Sequence, residues 1–159
     1  MATDQLLRSL FVQAVEDHEG QRFEHHFSPD LCQNGTTTVD GCFEKGLGPT
    51  EFDCSGLVVA SLCEVLGLDS RTDWPWEYRH GIQMSELAEE GRLPRAGDVS
   101  VTQSWDAPWH VVVHLNRHEI GEAVSLEGVW RRSSAHLWLD GTVATIPLER
   151  LVAVVTDGQ

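Results

Sequence analysis

Cys54, His110 and Glu122 are the residues of this chain whose types and spacing suit nucleophilic chemistry. Cys54 lies in FDCSGLVVASLCEVLGL (52–68), directly after Asp53, a good N-cap residue, and at the start of a run with helical periodicity. At a helix start, unpaired backbone N–H groups and the helix dipole favour an anion, which suits a thiolate nucleophile. The same N–H groups, that of Cys54 first, can serve a developing oxyanion. Ser55 and Gly56 are small enough to let a substrate carbonyl approach the sulfur. Cys63 follows nine residues later. At about 100° per residue it points to the opposite side of the helix and reads as a core residue.

A cysteine nucleophile needs a base, and the base needs an orienting partner. His110 opens HVVVHL, where His110, Val112 and His114 share one face of a strand and Val111, Val113 and Leu115 the other. The segment EIGEAVSL follows a turn around Asn116 and Arg117, so the two strands form a hairpin. With that turn centred near residue 117, position 110 faces position 124 and Glu122 lies diagonally across on the same face. Glu122 is then placed to accept a hydrogen bond from His110, fix its tautomer and stabilise the imidazolium. His110, His114 and His118 have a spacing that on a helix would suggest a metal site. On a strand they are spread along its length, so no metal and no cofactor are expected. His25, His26 and His136 have no partner at a telling distance.

Helical periodicity in Leu6, Leu7, Leu10, Phe11, Ala14 and Val15 predicts a first helix over residues 4–18, stopped by Gly20. Residues 23–50 lose periodicity and read as a long irregular connection. The second helix, capped by Asp53, carries Leu57, Val58, Ser61, Leu62, Val65 and Leu66 along one side and ends at Gly67. Residues 69–81 read as an aromatic-rich loop, and IQMSELAEE as a short helix. After Pro94 the period becomes two. DVSVT, HVVVHL, EIGEAVSL, SAHLWL and LVAVVT are five strand candidates. Helices followed by strands imply an α+β fold, with helices packed on one face of a mainly antiparallel sheet of five to six strands.

A chain of 159 residues without a linker or repeat reads as one domain, residues 1–159. A formal net charge of −14 excludes a basic patch for nucleic acid and disfavours anionic membranes. The N-terminus lacks the basic and apolar regions of a signal peptide, so synthesis in the cytoplasm is expected. No CxxC pair is present, and Cys32 and Cys42, which bracket a loop-like stretch short enough for a disulfide to close, read first as free thiols, with the disulfide left open.

The ordered set FDCSGL, RAGDV and HVVVHL, with Glu122 twelve residues after His110, resembles the NlpC/P60 family of papain-like cysteine peptidases. The resemblance runs from about Gly20 to beyond Ala123. It implies Cys54 as nucleophile, His110 as general base and Glu122 as third member, a position where the family usually has histidine. GQRF (20–23) stands where the family has an element with a tyrosine that helps the oxyanion hole, and Phe23 has no hydroxyl. His25, His26 or Tyr78 are the candidates to replace it.

The resemblance implies hydrolysis of an amide bond in peptidoglycan stem peptides, often between D-γ-glutamate and a diamino acid, through a Cys54 thioester. Trp105 and Trp109, which run directly into His110, are the expected groove residues beside Asp53 and Ser55. Trp74 and Trp76 read as cover for the core. A wall-acting enzyme without a signal implies release by lysis or delivery by a secretion machine, with an immunity or delivery protein as partner and a monomeric state. An acyltransferase or amidase on a non-wall substrate, and a non-catalytic binding module, stay open.

Overall fold

The structure, a computed structural model, describes residues 2–23, 51–79, 81–103, 108–124, 127–139 and 142–157. The expected loop beyond Phe23, with His25, His26, Cys32 and Cys42, lies outside these residues, as does Trp105.

Six strands form the main sheet: β3 (Glu89–Glu90), β4 (Val99–Gln103), β5 (Pro108–His114), β6 (Glu119–Val124), β7 (Gly128–Ser133) and β8 (Thr142–Ile146). Their spatial order is β3-β8-β4-β5-β6-β7, and each neighbouring pair is antiparallel. A separate parallel pair joins β1 (Arg22–Phe23) to β2 (Glu51–Phe52), with Phe23 beside Phe52. Alternation along β5 sends Val111, Val113 and Leu115 into the main core, while Val112 joins Ile120 and Leu137 in a small second cluster. Asn116 makes the β5–β6 turn, its side-chain oxygen accepting from the N–H groups of His118 and Glu119 at 2.8 and 2.9 Å.

Helix α1 (Ala2–Asp17) buries Arg8, Phe11, Ala14 and Val15. Leu6 and Leu10, expected on its apolar side, are exposed instead. Helix α2 (Cys54–Leu66) is buried all round from Ser55 to Cys63, so its apolar residues do not mark one side. It lies against both α1 and the central strands. Asp53 caps its start by accepting from the Gly56 N–H at 2.6 Å, and Gly67 ends it in the left-handed conformation. Among the described residues no helix is long and apolar enough to cross a membrane.

Three expectations along the second half of the chain are corrected. IQMSELAEE is helical as far as Leu87 and not to its end: α3 (Gly81–Met84) passes into a 3₁₀ helix at Ser85–Leu87, and Glu89–Glu90 pairs with β8. SAHLWL is not a strand. It contains the one-turn helix α4 (Ala135–Leu139), which presses Leu137 onto the sheet face away from the main core. LVAVVT is also helical, within α5 (Leu148–Thr156), because its buried residues Leu148, Leu151 and Val155 recur at three and four. The strands in this region are β7 and β8, whose mixed composition hides the period-two pattern.

The start of β4 explains the RAGDV stretch. Gly97 has a φ of +91°, and a Cβ there would meet Arg8 at 3.2 Å. This turn drives Asp98 into the interior, where it is fully buried. Asp98 Oδ1 accepts from Arg8 Nη1 at 2.7 Å and from the Leu148 N–H at 3.0 Å, and Oδ2 accepts from the Arg95 N–H at 2.8 Å. One carboxylate thus joins α1, β4 and the N-terminus of α5, which has no side-chain cap of its own. Replacing Asp98 by Ala takes the fully buried partner from a guanidinium that is only 3% exposed, leaving it Asp4 and Glu149, and uncaps α5. The expected loss is about 3–5 kcal/mol in urea unfolding. A loss below about 1 kcal/mol would show that the pair does not organise the fold.

Candidate active site

The cap that fixes α2 also fixes Cys54, its first residue, at the helix N-terminus. Asp53 Oδ1 takes the Gly56 N–H and the Asp53 carbonyl takes the Leu57 N–H. Cys54 is partly buried and free. Asp53 and Ser55, expected to meet substrate, are 3% and 2% exposed. Little of either side chain reaches the surface, and that of Asp53 is spent on the cap.

His110 lies on β5 near a register shift that falls between Thr102 and Gln103 of the adjoining strand β4. On the other side, Val113 pairs with Gly121 and His114 with Ile120. Continued along the strands, this register sets residue 110 opposite 124 and makes Glu122 its diagonal neighbour. The side chains meet: His110 Nε2 and Glu122 Oε1 are 2.9 Å apart. The other ring nitrogen, Nδ1, is not engaged by Glu122, and Cys54 lies near enough to favour the charged ring.

Burial works against a charge on His110, but the neighbouring Cys54 and Glu122 prevail and raise its pKa to about 10. The ring is therefore an imidazolium at neutral pH. Glu122, 1% exposed, faces the same contest. Burial pushes its carboxyl up, while hydrogen bonds from His110 and Arg132 win and hold it below the usual carboxylate range. Arg132 Nε donates to Glu122 Oε2 at 2.5 Å. Sequence reasoning missed Arg132 because it missed β7; a buried glutamate's need for a second cation was the available signal.

His114, four residues along the same strand, behaves oppositely. It is buried with Nε2 2.6 Å from Ser100 Oγ, and burial lowers its pKa to about 4. His118 is exposed in the turn, so the three histidines do not converge. Cys63 is buried in the main core, and burial raises its thiol to about 12. Trp74 is a core residue whose Nε1 donates to the Tyr78 carbonyl at 2.8 Å, and Tyr78 packs on the same core. Trp109 belongs to β5, but its side chain, like that of Trp76, lies outside the described residues. Phe23 packs against the main core beside Phe52, two residues before Cys54.

Neither a family model nor a curated protein matches the sequence. Solved structures do. The chain is similar to the NlpC/p60 domain of the peptidoglycan hydrolase SagA, with 19% identity over 86% of this chain and 96% of that one, and a TM-score of 0.56. The P60 domain of an antigen from M. avium subspecies paratuberculosis gives 19% identity, 81% and 86% coverage and a TM-score of 0.53. The peptidoglycan hydrolase RipB from Mycobacterium tuberculosis gives 16%, 93%, 67% and 0.59. The chain has the NlpC/P60 fold, an α+β architecture on a mainly antiparallel sheet.

The two histidines set opposite pH limbs. A His110 pKa raised from 6.5 contributes stability that is complete below about pH 6.5 and is lost as pH rises toward about 10. A His114 pKa lowered to about 4 costs stability as pH falls from about 6.5 to 4. Ring NMR titration is expected to find His110 charged at pH 8 and His114 neutral at pH 5. Cys54→Ala removes one of the two partners that raise His110, so its titration moves down. An unchanged His110 titration in that variant would refute the contact.

Proposed function

We propose, on the basis of this fold, that the chain is a cysteine peptidase or amidase that hydrolyses an amide bond in peptidoglycan stem peptides. The observation that carries this reading is Cys54 at the start of α2 beside His110, whose ring is hydrogen-bonded to the buried Glu122. Its substrate class follows from the solved neighbours, two of which are described as peptidoglycan hydrolases. The bond between D-γ-glutamate and a diamino acid is the proposed target, as the sequence resemblance implies, and the cell wall the proposed place of action.

In this mechanism the Cys54 thiolate attacks the substrate carbonyl carbon, and the Cys54 N–H at the open start of α2 donates to the resulting oxyanion. His110 then gives its Nδ1 proton to the leaving amine, the C–N bond breaks, and a thioester remains. Glu122 holds Nε2, so the ring keeps Nδ1 turned to the reaction. Acylation also removes the negative sulfur that helps to hold the His110 proton. The imidazole is thereby freed to act as base toward water, which attacks the thioester and releases the acid product and the thiolate.

Incubation with purified muropeptides and mass spectrometry of the products tests the substrate. The wild type should release a fragment gaining one water at a single amide bond. Cys54→Ala should lose at least about 10³-fold in rate, as expected on removing a nucleophile. Identical product profiles for the two proteins across wall chemotypes would sink the assignment.

A further inference from the structure

The carboxylate of Glu122 is 1% exposed and offers two oxygens, of which His110 engages only Oε1. The second oxygen is met from β7. Glu122 pairs across the strands with Trp130, and Arg132 stands two residues farther along the same face, within the diagonal reach of a long side chain. Its Nε donates to Oε2 at 2.5 Å. Arg131, the intervening residue, points to the other face and is engaged by Glu16, Glu19 and Glu119. It is therefore not available to Glu122. Among the described residues, the titratable groups acting on this carboxylate are His110 from β5 and Arg132 from β7, and Cys54 of α2 acts on the imidazole in turn. His114, on the same strand as His110, is turned to Ser100 of β4.

We propose that Arg132 is a positioning residue of the site, holding the buried Glu122 carboxylate as an anion with Oε1 aimed at His110. Its contact in the site is with Glu122, through which its effect passes. Without it, Oε2 is a buried acceptor lacking its charged donor, and the proton that Glu122 must not carry becomes easier to bind. A protonated Glu122 no longer stabilises the imidazolium, and the thiolate loses its counter-ion. The group that sets the acid edge of Cys54 reactivity is therefore a guanidinium one strand farther out. A planar guanidinium donates through Nε in a fixed direction, which the point charge of lysine does not reproduce.

This inference rests on the reading of Cys54 and His110 as nucleophile and base, so its test avoids any wall substrate. Alkylation of Cys54 by iodoacetamide is followed against pH by peptide-resolved mass spectrometry. The proteins are the wild type, Arg132→Met, Arg132→Lys, Glu122→Gln and the Arg132→Met/Glu122→Gln double variant. Arg132→Met is expected to move the acid limb upward by about one pH unit, a roughly tenfold slower reaction on that limb. Arg132→Lys, which keeps the charge and protects the fold, moves it upward by a few tenths of a unit. In the Glu122→Gln background, adding Arg132→Met changes the rate by less than about twofold. A wild-type profile in Arg132→Met, or an equal loss with and without Glu122, overturns the proposal. A wild type in which Cys54 labels no faster than an ordinary thiol defeats the nucleophile–base reading as well. A wild type with a reactive Cys54 that cleaves no muropeptide loses only the substrate assignment.

Discussion

The ion pair between Asp98 and Arg8 is the constraint on which the rest of the architecture depends. Both groups are buried, so each depends heavily on the charge of the other. Arg8 extends the junction by donating to the Ala96 carbonyl at 3.0 Å and to Glu149 at 2.7 Å. The backbone around Asp98 is stitched to β5 as well, through Gly97 N–H to the His114 carbonyl and His114 N–H to the Asp98 carbonyl. The strand that carries His110 is thus held at one end by the same residue that anchors α1 and starts α5.

From that frame the site acquires a row of groups running from a helix across three adjoining strands: a thiol on α2, imidazolium on β5, carboxylate on β6, guanidinium on β7. Each charge is stabilised by the next, which is how ionised groups persist in so little water. The contrast between His110 and His114 shows that burial alone does not decide ionisation. Both lie on one strand, yet His110 has a thiol and a carboxylate as partners, while His114 has the neutral hydroxyl of Ser100.

What the sequence disclosed was what local chemistry determines. Asp53 and Gly67 bracket α2 with signals lying within a few residues of the helix, and the Asn116 turn plus period-two alternation set Glu122 diagonal to His110. What stayed hidden depends on partners far along the chain. Helix α5 looks like a strand because Val152, Val154 and Val155 are β-branched, and its start is satisfied by Asp98, fifty residues earlier. Strand β7 escaped notice because GVWRRS places arginines on both faces, acceptable only because acidic groups from α1 and β6 wait for them. The exposed Leu6 and Leu10 show the converse: apolar residues at helical spacing do not by themselves say which of them reach the core.

The adjacent pair Arg131 and Arg132 has a consequence for how the chain reaches this arrangement. The residues are identical in type but serve opposite sides of the sheet, Arg131 clamping α1 and Arg132 reaching Glu122. A slip of β7 by one residue against β6 reverses every side chain on the strand. In that state Val129 loses the main core, while Arg131 takes the face of Arg132 and the α1 carboxylates lose their clamp. Hydrophobic burial and charge pairing penalise the same error, so β7 carries a built-in proofreading of its own alignment.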